Sequence, residues 1–598
     1  MARMDRHLIA MTKCGVKHLA IGLLGSFATL TAAPLSAHTS AADYFRERAE
    51  TRNVPQVLSE KQQAHYRDIF TAIALEDWDR VEELLAEEET GPLHQVALAE
   101  YYTHANSPEV SAAQIAAWFD MGTALPQAEQ LGRLGERRGL RYIPALPQEQ
   151  SFSRQSYASK RLRPRTVRDG SMPENIRDGI LERIRDDDPD GARALLEEID
   201  EALSSEARAE WRQRVAWSYY IENNDPMALA MAQTVTEGSG AWLAEGEWVT
   251  GLAAWRMGDC DTAGRGFARA AELASNIELK TAGHFWAARS LTRCRAPGEA
   301  TEHLRVAAQY DETFYGMLAL EQLGQDIPTQ YSGADFEAAD WQRLRSEENV
   351  RIAVALIEIS RSDLADEVLR HQARIGNPAD FTALSRLARE LGLPQAQLWM
   401  AHNTPRGTNP VPALRYPTAR WKPTTGWQVD PALAFALALQ ESVFRADAVS
   451  PANARGLMQI TPITVRQHAG RMNMSASYVN LNDPEVNLAF GQRNLEMLRD
   501  SRATQGLLPK IMAAYNAGLS PVTRWNDEVR DLGDPLLYME SIPYWETRGY
   551  VNVVMRNYWM YERQSGAPSQ SRKAMAQGLW PTFPESRGAD AIRLSGRN

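Results

Sequence analysis

Apolar positions along this 598-residue chain recur mostly at helical spacing. From about residue 43 to about 345 one helical stretch follows another, with few strand-like alternations and short breaks at Gly, Pro or Asp clusters. An all-α region is predicted there. Two stretches share a spacing: Gly251 to Gly258 (GLAAWRMG) with Ala263, Phe267 and Ala270, and 37 residues later Ala288 with Ala300. Small residues at facing positions, a turn, then alanine and an aromatic are the helix-pair pattern of tetratricopeptide-like repeats, whose stacking builds an α-superhelical solenoid. An irregular helical bundle is the alternative. A smaller helical region follows over 346–411, ending in Pro405, Pro410, Pro412, Pro417 and Pro423, the composition of a domain connection. Beyond about residue 566, Gly, Ser, Pro and Arg are scattered without a period, and 566–598 reads as a disordered tail.

Between these regions lies a helix that is apolar on nearly every side. Asp430 and Pro431 form a start signal, an N-cap followed by proline at the first helical position. Leu433, Phe435, Leu437 and Leu439 alternate with alanines, a pattern that also suits a strand. Alanine favours helix and is depleted in strands, so the helix is the expectation, buried on nearly every side. Glu441 leaves its C-terminal end. There both burial and the helix dipole disfavour the carboxylate and raise its pKa, which is what a general acid at neutral pH requires. A glutamate that simply reaches solvent at a helix end is the alternative.

Composition narrows the setting. The hydrophobic share of 44% and charged share of 24% are those of a soluble globular protein, and the length calls for several domains. Arg3, Arg6, Lys13 and Lys17 precede an apolar run from Leu19 to Leu30 that ends in small residues, which predicts a cleaved export signal over 1–37 rather than a membrane anchor. Cys14 precedes that run, so no lipid attachment is indicated, and no stable membrane insertion is expected after cleavage. Cys260 and Cys294 then remain, a pair expected to form one disulfide between the turns of neighbouring helix pairs, with two buried thiols as the alternative.

The formal charge of -11 argues against nucleic acid as a partner. Acidic runs at Glu82, Glu83 and Glu87 to Glu89 and at Asp186 to Asp188 read as solvated faces. So does the basic stretch Lys160, Arg161, Arg163, Arg165 and Arg168, which could instead contact an acidic glycan or its peptide carboxylates.

Three ordered motifs specify the chemistry. Glu441, Ser442, Phe444, Ala448, Ser450, Ala452, Ala454, Gly456 to Gln459 and Pro462 form the first; Ala513 to Gly518 (AAYNAG) the second; Glu540 to Arg548 (ESIPYWETR) with Tyr550 and Val551 the third. In this order they resemble the Slt-type lytic transglycosylases, whose catalytic domain is lysozyme-like, and Tyr315-Gly316 with Leu323-Gly324 extends the similarity towards the large soluble members. The resemblance implies a lysozyme-like domain over 412–565 behind the α-superhelical domain over 43–345 and the linker domain over 346–411. Three positions depart from the family pattern: Ala446 stands where proline is frequent, Asn453 where glycine is usual, and Thr461 where a methionine beside the sugar is common. Asparagine tolerates a left-handed backbone, so the turn at Asn453 is expected to form.

What the resemblance implies is cleavage of the β-1,4 bond between N-acetylmuramic acid and N-acetylglucosamine in peptidoglycan strands, in the periplasm, with 1,6-anhydromuramic ends. Glu441 would be acid and then base. Ser450 and Gln459 are expected to contact sugar, Tyr515 to orient Glu441 or the acetamido group, Asn516 to share in substrate binding, and Glu546 to be the substrate-side carboxylate. No metal or cofactor is called for, and cell-wall synthesis enzymes are a further class of partner. Most glycosidases need two carboxyl groups, whereas the motif supplies one and Asp447 has no obvious claim to the second role. A hydrolytic muramidase and a non-catalytic glycan-binding scaffold are the competing readings. Tyr544, Trp545, Tyr550, Tyr558 and Trp559 could line a groove, but core packing is the expected fate of most.

Overall fold

The computed structural model describes residues 40–87 and 91–584 and the backbone of 592–593. The expected export signal lies outside the described residues. Helices dominate, as the period predicts. Among the described residues none is long and apolar enough to cross a membrane.

Consecutive helices pack neighbour against neighbour from Ser205–Ile221 through Asp225–Thr234, Trp242–Met257, Cys260–Leu273, Ile277–Arg293, Pro297–Ala308 and Phe314–Gln322. The small residues seen in the repeat sit where two backbones meet. A Cβ on Gly251 would lie 2.5 Å from the Phe267 ring, and one on Gly266 would lie 2.8 Å from the Gly251 amide nitrogen. Cys260 begins one helix and Cys294 follows the next, with their Cα atoms 5.7 Å apart, and the two are joined in a disulfide.

Two hydrophobic cores organise the rest, and they divide the chain differently from the expected boundary at 345/346. One gathers residues 58–131 with 336–414. The other gathers Ala41 and Phe45 with residues 180–331 and 416–583. Polar contacts between distant segments explain the first grouping: Glu358 accepts the Val57 and Leu58 amides at 2.7 and 2.8 Å, and Asn349 donates to the Ala124 carbonyl at 2.7 Å. Period tells where a helix is, not which remote helix covers its apolar face. A short antiparallel ribbon, Phe152–Arg154 with Asn403–Pro405, ties the long 138–173 crossing to the first group.

The expectation of a disordered tail over 566–598 is corrected through Phe583. Gly566 ends the long Trp545–Ser565 helix in a left-handed cap at φ 71°, Ser569 caps the helix Gln570–Ala576, and Trp580 and Phe583 are buried. Trp559 Nε1 donates to Ser571 at 2.9 Å and Gln322 donates to the Ala576 carbonyl at 2.6 Å, so the segment bridges two helical layers. Its apolar anchors are too widely spaced to register as a period.

In the basic stretch Lys160, Arg163, Arg165 and Arg168 are exposed, as the solvated reading expects, and Arg161 alone departs from it. The Arg161 side chain is 8% exposed, with its guanidinium 2.9 Å from Glu245, 3.5 Å from Glu540 and 4.7 Å above the Trp248 ring. It is an interior tie between the helical stack and the C-terminal segment. Asp186 and Asp187 are exposed, as expected.

Candidate active site

The helix Pro431–Ser442 forms as predicted: Asp430 Oδ1 accepts the Ala432 amide at 2.9 Å, and residues 431–438 are all buried. It packs against Trp545–Ser565 and against Ala41–Glu50, where Phe45 meets Phe435 edge-on at 5.4 Å. Two successive non-glycine residues, Val443 at φ 54° and Phe444 at φ 58°, then turn the chain sharply. A left-handed β-branched residue is a true outlier, with strain of about 1 to 3 kcal/mol. Phe444 is buried against Phe435, and Ser442 Oγ donates to the Leu457 carbonyl at 2.8 Å. Glu441 is thus held between a rigid helix and an anchored turn.

Its carboxyl is half-buried, and burial is the main reason its pKa is pushed up to about 7. Tyr550, donating its hydroxyl to Oε1 at 2.5 Å, opposes that rise, and the charge of Glu546 adds to it. Tyr550 is the partner that sequence reasoning missed. Its position four residues beyond Glu546 on one helix was the available signal, since that spacing puts both on one face. Tyr515 instead donates to the Met458 carbonyl at 2.8 Å, though it lies close enough to feel the Glu441 charge.

The loop after Glu441 is built around a node that sequence analysis did not single out. Asn487 accepts the Met458 amide at 2.8 Å and donates to the carbonyls of Arg455 and Leu481 at 2.8 and 2.9 Å. Gly456, at φ 71°, passes so close that a Cβ would lie 2.2 Å from Asn487 Nδ2. Ser450 Oγ accepts the Ala454 amide at 3.0 Å, and Gln459 donates to the Gly456 and Ala448 carbonyls at 2.9 and 3.2 Å. Asn453 takes the expected left-handed conformation at φ 58°. Asn516 accepts from Thr547 Oγ1 at 2.6 Å. Glu546 is exposed in the first turn of its helix, and Asp447 is exposed in the loop.

Exposed apolar side chains flank these residues: Val443, Val449 and Tyr544 are 46, 54 and 46% exposed. Tyr550, Tyr558 and Trp559 are core residues. On the same long helix, Trp545 and Arg548 face a different cavity of about 280 Å³, shared with Arg163, Arg214, Trp217 and Trp242. The Arg548 guanidinium lies 4.0 Å above the Trp217 ring and its Nε has no hydrogen-bond partner. Burial lowers Arg163 and Arg548 to about 10, so both remain cations at neutral pH.

Residues 421–537 match the transglycosylase SLT domain family. A soluble lytic murein transglycosylase of Salmonella typhimurium is 27% identical over 328 residues, 52% of this chain and 47% of the relative. A putative soluble lytic murein transglycosylase of Haemophilus influenzae is 39% identical over 132 residues, 21% of each chain. The alignments with the Salmonella and Escherichia coli relatives span about half their length. The 70 kDa soluble lytic transglycosylase of Escherichia coli superposes with a TM-score of 0.56 at 19% identity, covering 87% of this chain and 99% of that one. Residues 421–537 thus match the transglycosylase SLT domain family, and the chain has an all-α fold, superhelical with a lysozyme-like domain, similar to that of the 70 kDa soluble lytic transglycosylase.

Proposed function

We propose that this chain is a peptidoglycan lytic transglycosylase acting in the periplasm. The observation that carries the reading is a single carboxyl, Glu441, held protonated near neutrality, with Tyr550 rather than a second carboxylate hydrogen-bonded to it. Most retaining and inverting hydrolases use a partner carboxylate as nucleophile or to hold water.

In the proposed reaction Glu441 donates its proton to the glycosidic oxygen as the C1–O4 bond breaks, while the carbonyl oxygen of the sugar's own 2-acetamido group attacks C1. The resulting oxazolinium carries the positive charge, and Glu441 is left as carboxylate. It then accepts the proton of the C6 hydroxyl, and O6 attacks C1, displacing the acetamido oxygen and closing the 1,6-anhydro ring. Glu441 ends protonated, ready for another cycle. A pKa near 7 suits both halves, because acid and base forms are then both accessible at the working pH. Tyr550 stabilises the transient carboxylate, and Glu546 works against it.

Ser450, Gln459, Tyr515 and Asn516 would serve the sugar through the hydrogen-bonding capacity their internal bonds leave over, and Glu546 through its exposed carboxylate. Val443, Val449 and Tyr544 offer apolar surface to the sugar faces. The Arg163, Arg214 and Arg548 cavity, one helix face away from Glu546, suits the carboxylates of the peptide stems. Digestion in water enriched in oxygen-18 tests the reaction class: intramolecular closure leaves the new anomeric carbon without the label, and hydrolysis would incorporate it.

A further inference from the structure

The strained turn behind Glu441 is held from outside the SLT segment. Gln395, in the first turn of the helix Pro394–His402, donates its Nε2 to the Val443 carbonyl at 2.7 Å. That helix belongs to the other hydrophobic core, and the Gln395 amide is itself fixed by the buried Asp366 at 3.0 Å. Val443 is the residue whose left-handed φ of 54° is least tolerated by its own side chain, and it stands two positions after Glu441. Without an external donor to its carbonyl, the favoured relaxation of Val443 is towards right-handed geometry, which would carry the helix onward, redirect the chain that follows and loosen the helix end that holds Glu441 against Tyr550.

We infer that Gln395 is a positioning residue, clamping the Val443 carbonyl so that the turn holds Glu441 in register for proton transfer. The inference deepens the reading of Glu441 as the acid and rests on it. Phe444 is locked by burial and Ser442 by the Leu457 carbonyl; Val443, 46% exposed, has its amide on the Ala438 carbonyl, and its own carbonyl is held by the glutamine. The clamp also makes the site depend on a helix that a cut at residue 421 would remove.

The test is a double-substitution cycle in the full-length chain, using glycan strands as substrate. Gln395→Ala in the Val443 parent is expected to lower kcat about tenfold with KM within about twofold, the response of an interaction that orients rather than binds. Asparagine accepts left-handed geometry, so in a Val443→Asn parent the same Gln395→Ala change should cost less than about twofold. Circular dichroism establishes that each variant is folded. Independently of turnover, the Glu441 carboxyl carbon is titrated by NMR, its signal assigned by its loss in Glu441→Gln. Gln395→Ala should bring that titration down towards the ordinary glutamate range as the carboxyl moves to solvent. Equal losses of kcat in both parents, or an unchanged kcat with an unmoved titration, would overturn the clamp. If Glu441→Gln cleaves glycan like wild type, the acid reading fails, and the NMR titration alone still decides the clamp.

Discussion

Glu441 owes its proton to burial, and its neighbours adjust how tightly that proton is held. The Tyr550 hydroxyl favours the ionised form, so Tyr550→Phe should raise the carboxyl's pKa above about 7. The fall of kcat/KM on the alkaline side would then move to higher pH while the maximal rate drops, which a pH-rate profile reads directly. Stability also falls towards alkaline pH. With an ordinary value of 4.5 and a folded value of about 7, the folded protein keeps a proton that the unfolded chain releases, so stability falls as pH rises through this window. Glu441→Gln should therefore be more stable than wild type at pH 8, by about 3 kcal/mol in chemical denaturation. The acid was legible in the sequence because an apolar helix and a cap led up to it. Tyr550 was not, because a tyrosine in a helical motif is far more often core.

At the scale of elements, local signals were read correctly where backbone chemistry decides the matter. Asp430 and Pro431 start the Glu441 helix, and the small residues around Gly251 mark where backbones meet. The 567–583 segment was missed because Trp580 and Phe583 fold through distant contacts rather than a repeating pattern. The disulfide belongs to this scale, since it joins neighbouring helix turns across 34 residues. Cys260→Ser with Cys294→Ser should lower unfolding stability by about 2 to 4 kcal/mol, measured in urea, with Glu441 chemistry retained. An equal midpoint for both proteins would mean that the stack holds those turns without the bond.

In the molecule as a whole, the C-terminal part that follows the SLT segment is tied to the helical stack by buried polar groups. Glu540, wholly buried, accepts the Tyr315 hydroxyl at 2.7 Å and faces Arg161 at 3.5 Å, while Phe314 stacks on Trp559 at 5.0 Å. Removing one partner of such a network leaves charges unpaired, so Glu540→Ala should cost about 3 to 5 kcal/mol in calorimetric unfolding. A loss confined to a few tenths would show that the network is not holding the two parts together. The sequence carried Tyr315 and Glu540 in separate motifs, and nothing in either spacing says they touch.

The central claim is that Glu441 alone performs both proton transfers of a non-hydrolytic cleavage. Mass spectrometry of muropeptides released from murein sacculi by wild type and by Glu441→Gln tests it most directly. Wild type should release products ending in 1,6-anhydromuramic acid, and the folded variant should release none. Reducing-end products from wild type, or anhydro products from the variant, would contradict the account.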